Sequence, residues 1–400
     1  MSIPDDLSGQ LQVGRIQQEE LGQLLLEQFH GARAVGLNEI VYPADAEAYA
    51  VKLHYDGDGS LVKVTAGATL TPSDLETLQH EVAEELLADT GTLVGRLVLF
   101  TRLPVDGWFR YRNAFQILAV PPDAPHPPHL AADHPLILEF RFPNTRNTMV
   151  AVIRRAVRER ELELLLNAFL FPEIHSLGSA SVRGRWVLEP RKAGESLRVK
   201  FAQEMYTWEG LNLVGDDFSS PGERPAMSLA SPDEYYNRLG LSYKHGLDLP
   251  SNLADMMDRF FALARADRER FLRACFWFQQ GNHARSASVR FTAIISAVET
   301  LMPSATSGPP CEVCGRAKGP GTTRQFASFV DAFAPWIPAE ERSRLYGLRS
   351  ALSHGGTLFH SDRATLLGGL EPSVVKEWIT RDIAFRLVRA VLIGWLLKNP

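Results

Sequence analysis

The sequence predicts an α+β protein, with a mixed α/β N-terminal part followed by an all-helical C-terminal part. Three observations predict it. Alternating apolar runs broken by turn residues occur only in the first half, as between residues 48 and 66. From residue 251 onward, apolar residues recur at three- and four-residue steps and strand signals nearly vanish. Charge divides along a similar line. Residues 241–400 hold 16 Arg and 4 Lys against 14 Asp and Glu, a net +6, while the other 240 residues carry a net −11. A chain of 400 residues is usually two or three domains. The expected division is 1–215 as a mixed α/β sensor or regulatory domain, 216–250 as a linker and connecting helix, and 251–400 as the helical domain.

Each element has a local reason. Residues 17–30 read as a helix with Leu21, Leu24, Leu25 and Phe29 on one side. Strands at 48–55 and 61–66 flank Asp56-Gly57-Asp58-Gly59, a strong hairpin signal. A helix over 71–89 follows, with Thr71 or Ser73 as its cap. Strands are expected at 93–100, 111–120 and 136–142, then a long charged helix at 148–170 and a second hairpin from 182–188 and 197–201. Around 215–232 the texture turns to Asp, Ser, Pro and Gly, as in an exposed loop. Ser231-Pro232 then opens a helix, with Ser as the cap and Pro at the first helical position. Helical periodicity marks 251–264, 267–280, 286–302, 323–334, 338–354 and 372–397. The last carries an apolar stripe so wide that it must bury against other helices or a second chain.

Composition excludes several classes. Hydrophobic residues at 45% and charged residues at 22% describe an ordinary globular protein rather than a disordered one. Three cysteines are no disulfide framework, the acidic start has no signal-peptide layout, and no apolar run spans a bilayer, so a cytoplasmic protein without membrane contact is expected. No Gly-x-x-x-x-Gly-Lys, His-Glu-x-x-His or Gly-x-Ser-x-Gly motif occurs, which leaves nucleotide hydrolysis, zinc proteolysis and serine hydrolysis unsupported.

The most informative segment runs from Tyr346 to Gly356 and contains Arg349-Ser350-Ala351-Leu352-Ser353-His354. Leu345, Leu348 and Leu352 form its core face, and Gly355-Gly356 supplies a left-handed helix stop. His354 therefore falls in the last turn, a position that suits a proton-exchanging histidine. On an ideal helix Arg349 and His354 lie about 140° apart, so they converge only if the helix end unwinds or a second subunit completes the site. Read from the residues alone, the segment fits either such a site or an ordinary helix end with a salt-bridged Arg and a capping His. Glu299 shares a stripe with Ser288, Thr292 and Ser296, where it either orients Arg349 or makes a helix-packing ion pair.

The run from Arg290 to Leu301, the preceding stretch from Phe271 to Phe278, and Arg349-x-x-x-x-His354 resemble, in order and spacing, the Apea-like HEPN domain family over residues 251–397. The resemblance implies a metal-independent endoribonuclease that works as a homodimer through its helical domain, of a kind found in phage defence or as a toxin. Arg349 would hold the scissile phosphate. His354 would exchange a proton with the ribose 2′-hydroxyl or the leaving 5′-oxygen, giving a 2′,3′-cyclic phosphate. Ser350 stands where many members carry Asn, Asp or His, a departure that shifts weight toward RNA binding without cutting. The rival readings are a non-catalytic dimerisation or RNA-binding module, and an adaptor stabilised by zinc. An Arg-rich half also suits a phosphate-bearing partner such as RNA, although solvated helix faces account for the same charge. No cofactor is implied for catalysis.

Cys311 and Cys314 form a Cys-x-x-Cys-Gly knuckle in a Gly/Pro-rich loop. This spacing aims two thiolates at one tetrahedral ion, so the pair is a candidate half of a structural zinc site, with Cys275, His283, His354 or His360 as further ligands. A plain loop with free thiols and a redox pair are the alternatives.

Overall fold

The computed structural model describes residues 3–45, 47–101, 103–124, 134–170, 174–175, 183–188, 199–204, 211, 213–237, 246–303, 321–363 and 372–398. The chain is α+β, with its sheets in the N-terminal region and helices dominating the C-terminal region. Helix α1 (Gln18–Phe29) lays Leu21, Leu24 and Leu25 on an antiparallel sheet of β1 (Arg33–Ala34), β2 (Glu39–Tyr42), β3 (Val51–Tyr55) and β4 (Leu61–Ala66), in chain order. The β3–β4 turn closes as its chemistry predicts: the Asp56 carboxylate accepts from Asp58 N (3.0 Å) and Ser60 N (2.8 Å). Helix α2 (Pro72–Glu81) starts at a reciprocal cap between Thr71 and Asp74. The expected helix over 71–89 does not continue as α-helix. It widens to π-winding over Val82–Leu87, whose Glu85 and Leu86 carbonyls accept from Arg154.

The second sheet contains β5 (Thr92–Thr101), β6 (Trp108–Tyr111), β7 (Phe115–Ala119), β8 (His134–Pro143) and β9 (Ile174–His175), in the order β6-β7-β8-β5-β9. β5 and β8 pair from Thr92↔Pro143 to Thr101↔His134. Helix α3 (Thr148–Leu170) crosses behind this sheet and has the bounds its sequence predicts. A hairpin of β10 (Arg183–Leu188) and β11 (Val199–Glu204) follows, close to its expected place. β12 (Leu229–Ala230) pairs in parallel with β13 (Leu249–Pro250), and α4 (Pro232–Asn237) lies between them, capped by Ser231.

The helical region comprises α5 (Leu253–Ala262), α6 (Arg265–His283), α7 (Ala287–Leu301), α8 (Thr322–Asp331), α9 (Ala339–Ser353), the short α10 (His360–Arg363) and α11 (Pro372–Lys398). Their faces are apolar at helical spacing, as with Leu387, Val391 and Leu392 of α11, which are fully buried. The first half of that same helix leaves Val375, Trp378 and Ile379 exposed.

Among the described residues, apolar packing forms two cores. The smaller joins α1, β2–β4, α2 and Val150 of α3. The larger runs without a break from Leu99 and Phe140 of the sheet, through Leu165 and Phe169 of α3, to Phe271, Phe291 and Leu392 of the helices. The sheet and the helical region therefore share one interior. Residues 216–225, expected as linker, form a strap across the second sheet. Glu139, fully buried, accepts from Ser219 N (2.8 Å), Ser219 Oγ (2.6 Å), Gln116 Nε2 (2.6 Å) and Arg96 Nε (2.9 Å). Phe218 lies between the Arg110 and Arg141 guanidiniums, 5.1 and 5.0 Å from its ring centre. Four polar donors fixed on one carboxylate hold the strap where composition alone suggested freedom. Among the described residues, no helix is long and apolar enough to cross a membrane.

Candidate functional site between two helices

Helix α7 is fixed at its N-terminus by side chains from both near and far. Ser286 caps it locally, accepting from Val289 N (3.2 Å). Asp362, from α10, accepts from Ser286 Oγ (2.9 Å), Ala287 N (2.8 Å) and Ser288 N (2.7 Å). Burial alone would raise the Asp362 carboxyl, but the bonds from Ser288, Ala287 and Ser286 outweigh it and hold it below the usual carboxylate range. Inward-facing Phe291, Ile295, Val298 and Leu301 pack α7 into the bundle, leaving Glu299 half-buried beside α9.

Helix α9 buries Arg342, Leu345, Tyr346 and Leu352. Arg349 lies on the same stripe, three residues from both Tyr346 and Leu352, so its guanidinium enters the α7–α9 contact rather than solvent. There Arg349 Nη2 stands 2.6 Å from Glu299 Oε2, with the two side chains 24% and 22% exposed. Among the described residues, Arg349 Nε is buried without a hydrogen-bond partner. Tyr346 is part of the same cluster: burial first, then the negative charge of Glu299, push its phenol above the ordinary tyrosine range. The guanidinium is thus oriented by one carboxylate, and its Nε is left without an acceptor inside the helix contact.

His354 occupies a different surface. The helix holds its α-winding through Ser353 and stops in a Schellman turn, with Gly356 N bonded to Ala351 O (2.8 Å), Gly355 N to Leu352 O (3.2 Å) and Gly355 at φ +72°. Gly355-Gly356 therefore acts as the sequence predicts. No unwinding precedes it, so Arg349 and His354 keep the roughly 140° separation of an ideal helix. His354 is exposed. The loop after it is tied down: Phe359 N donates to Ser288 Oγ (2.9 Å), and the buried Phe359 ring meets Phe291 edge-on at 5.5 Å. Ser350 is half-buried, and its carbonyl accepts from His354 N (3.0 Å).

The structure therefore brings together Glu299 and Arg349 and adds Tyr346, while within one chain His354 faces elsewhere. Cys311 and Cys314 lie outside the described residues. Cys275, a candidate third zinc ligand, is fully enclosed in α6, and burial pushes its thiol far above the ordinary range. Among the described residues no group of three or more His, Cys, Asp or Glu is placed to hold a metal ion. Comparisons with family models, curated proteins and solved structures find no match to this chain.

Sequence reasoning missed Tyr346 and Asp362. Tyr346 had a signal, because a residue three before Arg349 shares its face. Asp362 had none, since its capping role spans more than seventy residues of chain.

Proposed function

We propose that the helical region, read as an Apea-like HEPN bundle, is a metal-independent endoribonuclease whose site is completed by a second copy of the chain. The observation that carries this reading is Arg349: a partly exposed side chain whose guanidinium is oriented by Glu299 at 2.6 Å, with a buried Nε that has no acceptor among the described residues. In a low-dielectric contact, such a pre-oriented fork can hold a phosphodiester and offset charge as it builds on the phosphate oxygens. His354, exposed and fixed by the Schellman turn, supplies the proton-exchanging group. The two residues face different directions on one helix, so a two-fold pair of chains is the arrangement that gathers an Arg349 and a His354 about one phosphate. The 2′-hydroxyl gives up its proton as its oxygen attacks phosphorus, the bond to the 5′-oxygen breaks, and that oxygen takes up a proton, leaving a 2′,3′-cyclic phosphate and a 5′-hydroxyl.

The test is incubation of the full chain with RNA in EDTA, with end-group analysis of the products. The expected result is cutting that yields cyclic phosphate ends and falls by about 100-fold or more in Arg349→Ala and in His354→Ala. Intact RNA with the wild-type protein, or cutting that survives both substitutions, overturns the reading. A second reading, an RNA-binding module without cleavage, is favoured by the separate faces of Arg349 and His354 and by Ser350. It predicts RNA retention that depends on Arg349 with no products. A structural zinc on Cys311 and Cys314 is checked by metal analysis: wild-type protein and Cys311→Ser both free of zinc would remove it.

A further inference from the structure

A second cationic site lies on the far side of α7, apart from the proposed ribonuclease site. Arg290 and Glu299 are nine residues apart, which places them on opposite faces of the helix and about 13.5 Å apart along it. Around Arg290 the end of α6, the start of α7 and one face of α11 enclose a cleft of about 300 Å³. Trp378, Arg381, Asp382 and Phe385, spaced at three and four residues on α11, line one wall, while Asn282, Arg290 and Phe291 line the other.

Two guanidiniums share this space, and among the described residues neither is in a salt bridge with a carboxylate. Arg290 Nη2 is anchored to the carbonyls of Ala284 (3.0 Å) and Asn282 (3.4 Å), which fixes the group above the α6–α7 turn. Among the described residues, the Nε atoms of both Arg290 and Arg381 are buried with no acceptor. The nearby acids are engaged elsewhere. Asp362 caps α7, Glu377 accepts from His360 N and Ser361 N, and Asp382 pairs with Arg386 at 2.9 Å. Burial first, then the charge of Arg290, weigh against the protonated form of Arg381, even though the charges of Glu377 and Asp362 support it. Half-buried like charges of this kind fit a bound anion that neutralises both. Above them Trp378 is 55% exposed, offering an indole face at the mouth of the cleft, and Phe291 and Phe385 complete an apolar wall.

We propose that this cleft binds a nucleoside monophosphate, with its phosphate between Arg290 and Arg381 and its base against Trp378. The cleft volume fits one such ligand, and neither an inorganic anion nor a bare nucleoside uses both the cationic floor and the aromatic mouth.

Calorimetric titration of the full chain with AMP, adenosine and inorganic phosphate tests it. AMP is expected to bind about tenfold or more tightly than adenosine or phosphate. Arg381→Gln is expected to weaken AMP about tenfold or more, and Trp378→Ala about threefold or more. Trp378 is exposed, so its variant keeps the test decisive even if Arg381→Gln misfolds by circular dichroism. Absence of AMP binding, equal affinity for phosphate and AMP, or unchanged affinity in folded Arg381→Gln or in Trp378→Ala overturns the proposal.

Discussion

Among the described residues, the Arg154–Glu20 and Arg349–Glu299 pairs each join distant helices, and they are built differently. In the N-terminal region Arg154 of α3 grips Glu20 of α1 through two parallel bonds, Nε to Oε1 at 3.1 Å and Nη2 to Oε2 at 3.0 Å. The remaining donors go to the carbonyls of Asn144, Glu85 and Leu86, and the side chains are 8% and 5% exposed. In the C-terminal region Arg349 meets Glu299 through one nitrogen at 2.6 Å, both side chains are about three times more exposed or greater, and Nε is left over. The first guanidinium is saturated and closed to any ligand. The second is oriented and unfinished, which is what a binding or catalytic cation requires. Charge type alone does not separate structure from function; the completeness of the hydrogen-bonding shell does.

The sharpest way to break this comparison is to remove Glu20. Glu20→Ala strands Arg154 in the interior, and the expected loss is about 3–5 kcal/mol in urea unfolding. A loss under about 1 kcal/mol would show that Arg154 is not the closed clamp described. Glu139 belongs to the same saturated class. Although burial raises its carboxyl, the bonds from Ser219, Gln116 and Arg96 win and hold it below the ordinary range. Its stabilisation is therefore complete above that range and fades as pH falls through the depressed value. Glu139→Gln is expected to cost about 1–3 kcal/mol at pH 7 and to flatten the acid limb of the stability curve. An unchanged acid limb would argue that the strap is held by other contacts.

Smaller effects are expected around His354. Gly355→Ala forces a side chain into a left-handed residue at φ +72°, a cost of about 1–2 kcal/mol measurable by thermal or urea unfolding. No change would mean that the Schellman turn is readily replaced. Smallest of all in stability is Glu299→Ala, because solvent reaches Arg349 once its partner is gone. About 0–1 kcal/mol is expected, together with a clear fall in RNA cutting as the guanidinium loses its orientation. A stability loss near that of Glu20→Ala would make the pair a structural clamp instead and erase the contrast.

Much of the local structure is legible before folding. Thr148–Leu170 has its observed bounds in the sequence, and α1, α7 and α9 fall within a few residues of theirs, because apolar spacing and caps such as Ser286 act over one or two turns. The short strands β1, β2 and β6 had no such signal: two to four residues carry too little alternation. The π-winding after α2 and the strap on Glu139 were equally silent, since each depends on donors far along the chain. In the candidate site, Arg349, His354 and Glu299 are singled out by the sequence, whereas Tyr346 and Asp362 enter only with the packed helices.

By itself, the sequence determined the helices of the C-terminal region, the glycine stop after His354 and the division of charge, all of which follow from backbone preference, side-chain period and composition. Only the tertiary structure decided that Glu299 meets Arg349 across fifty residues of chain, that Arg290 and Arg381 share a cleft, and that sheet and helices enclose one core. The physical reason is range. Caps and periods act within a turn or two, whereas an ion pair or a shared interior depends on how whole helices are turned against one another.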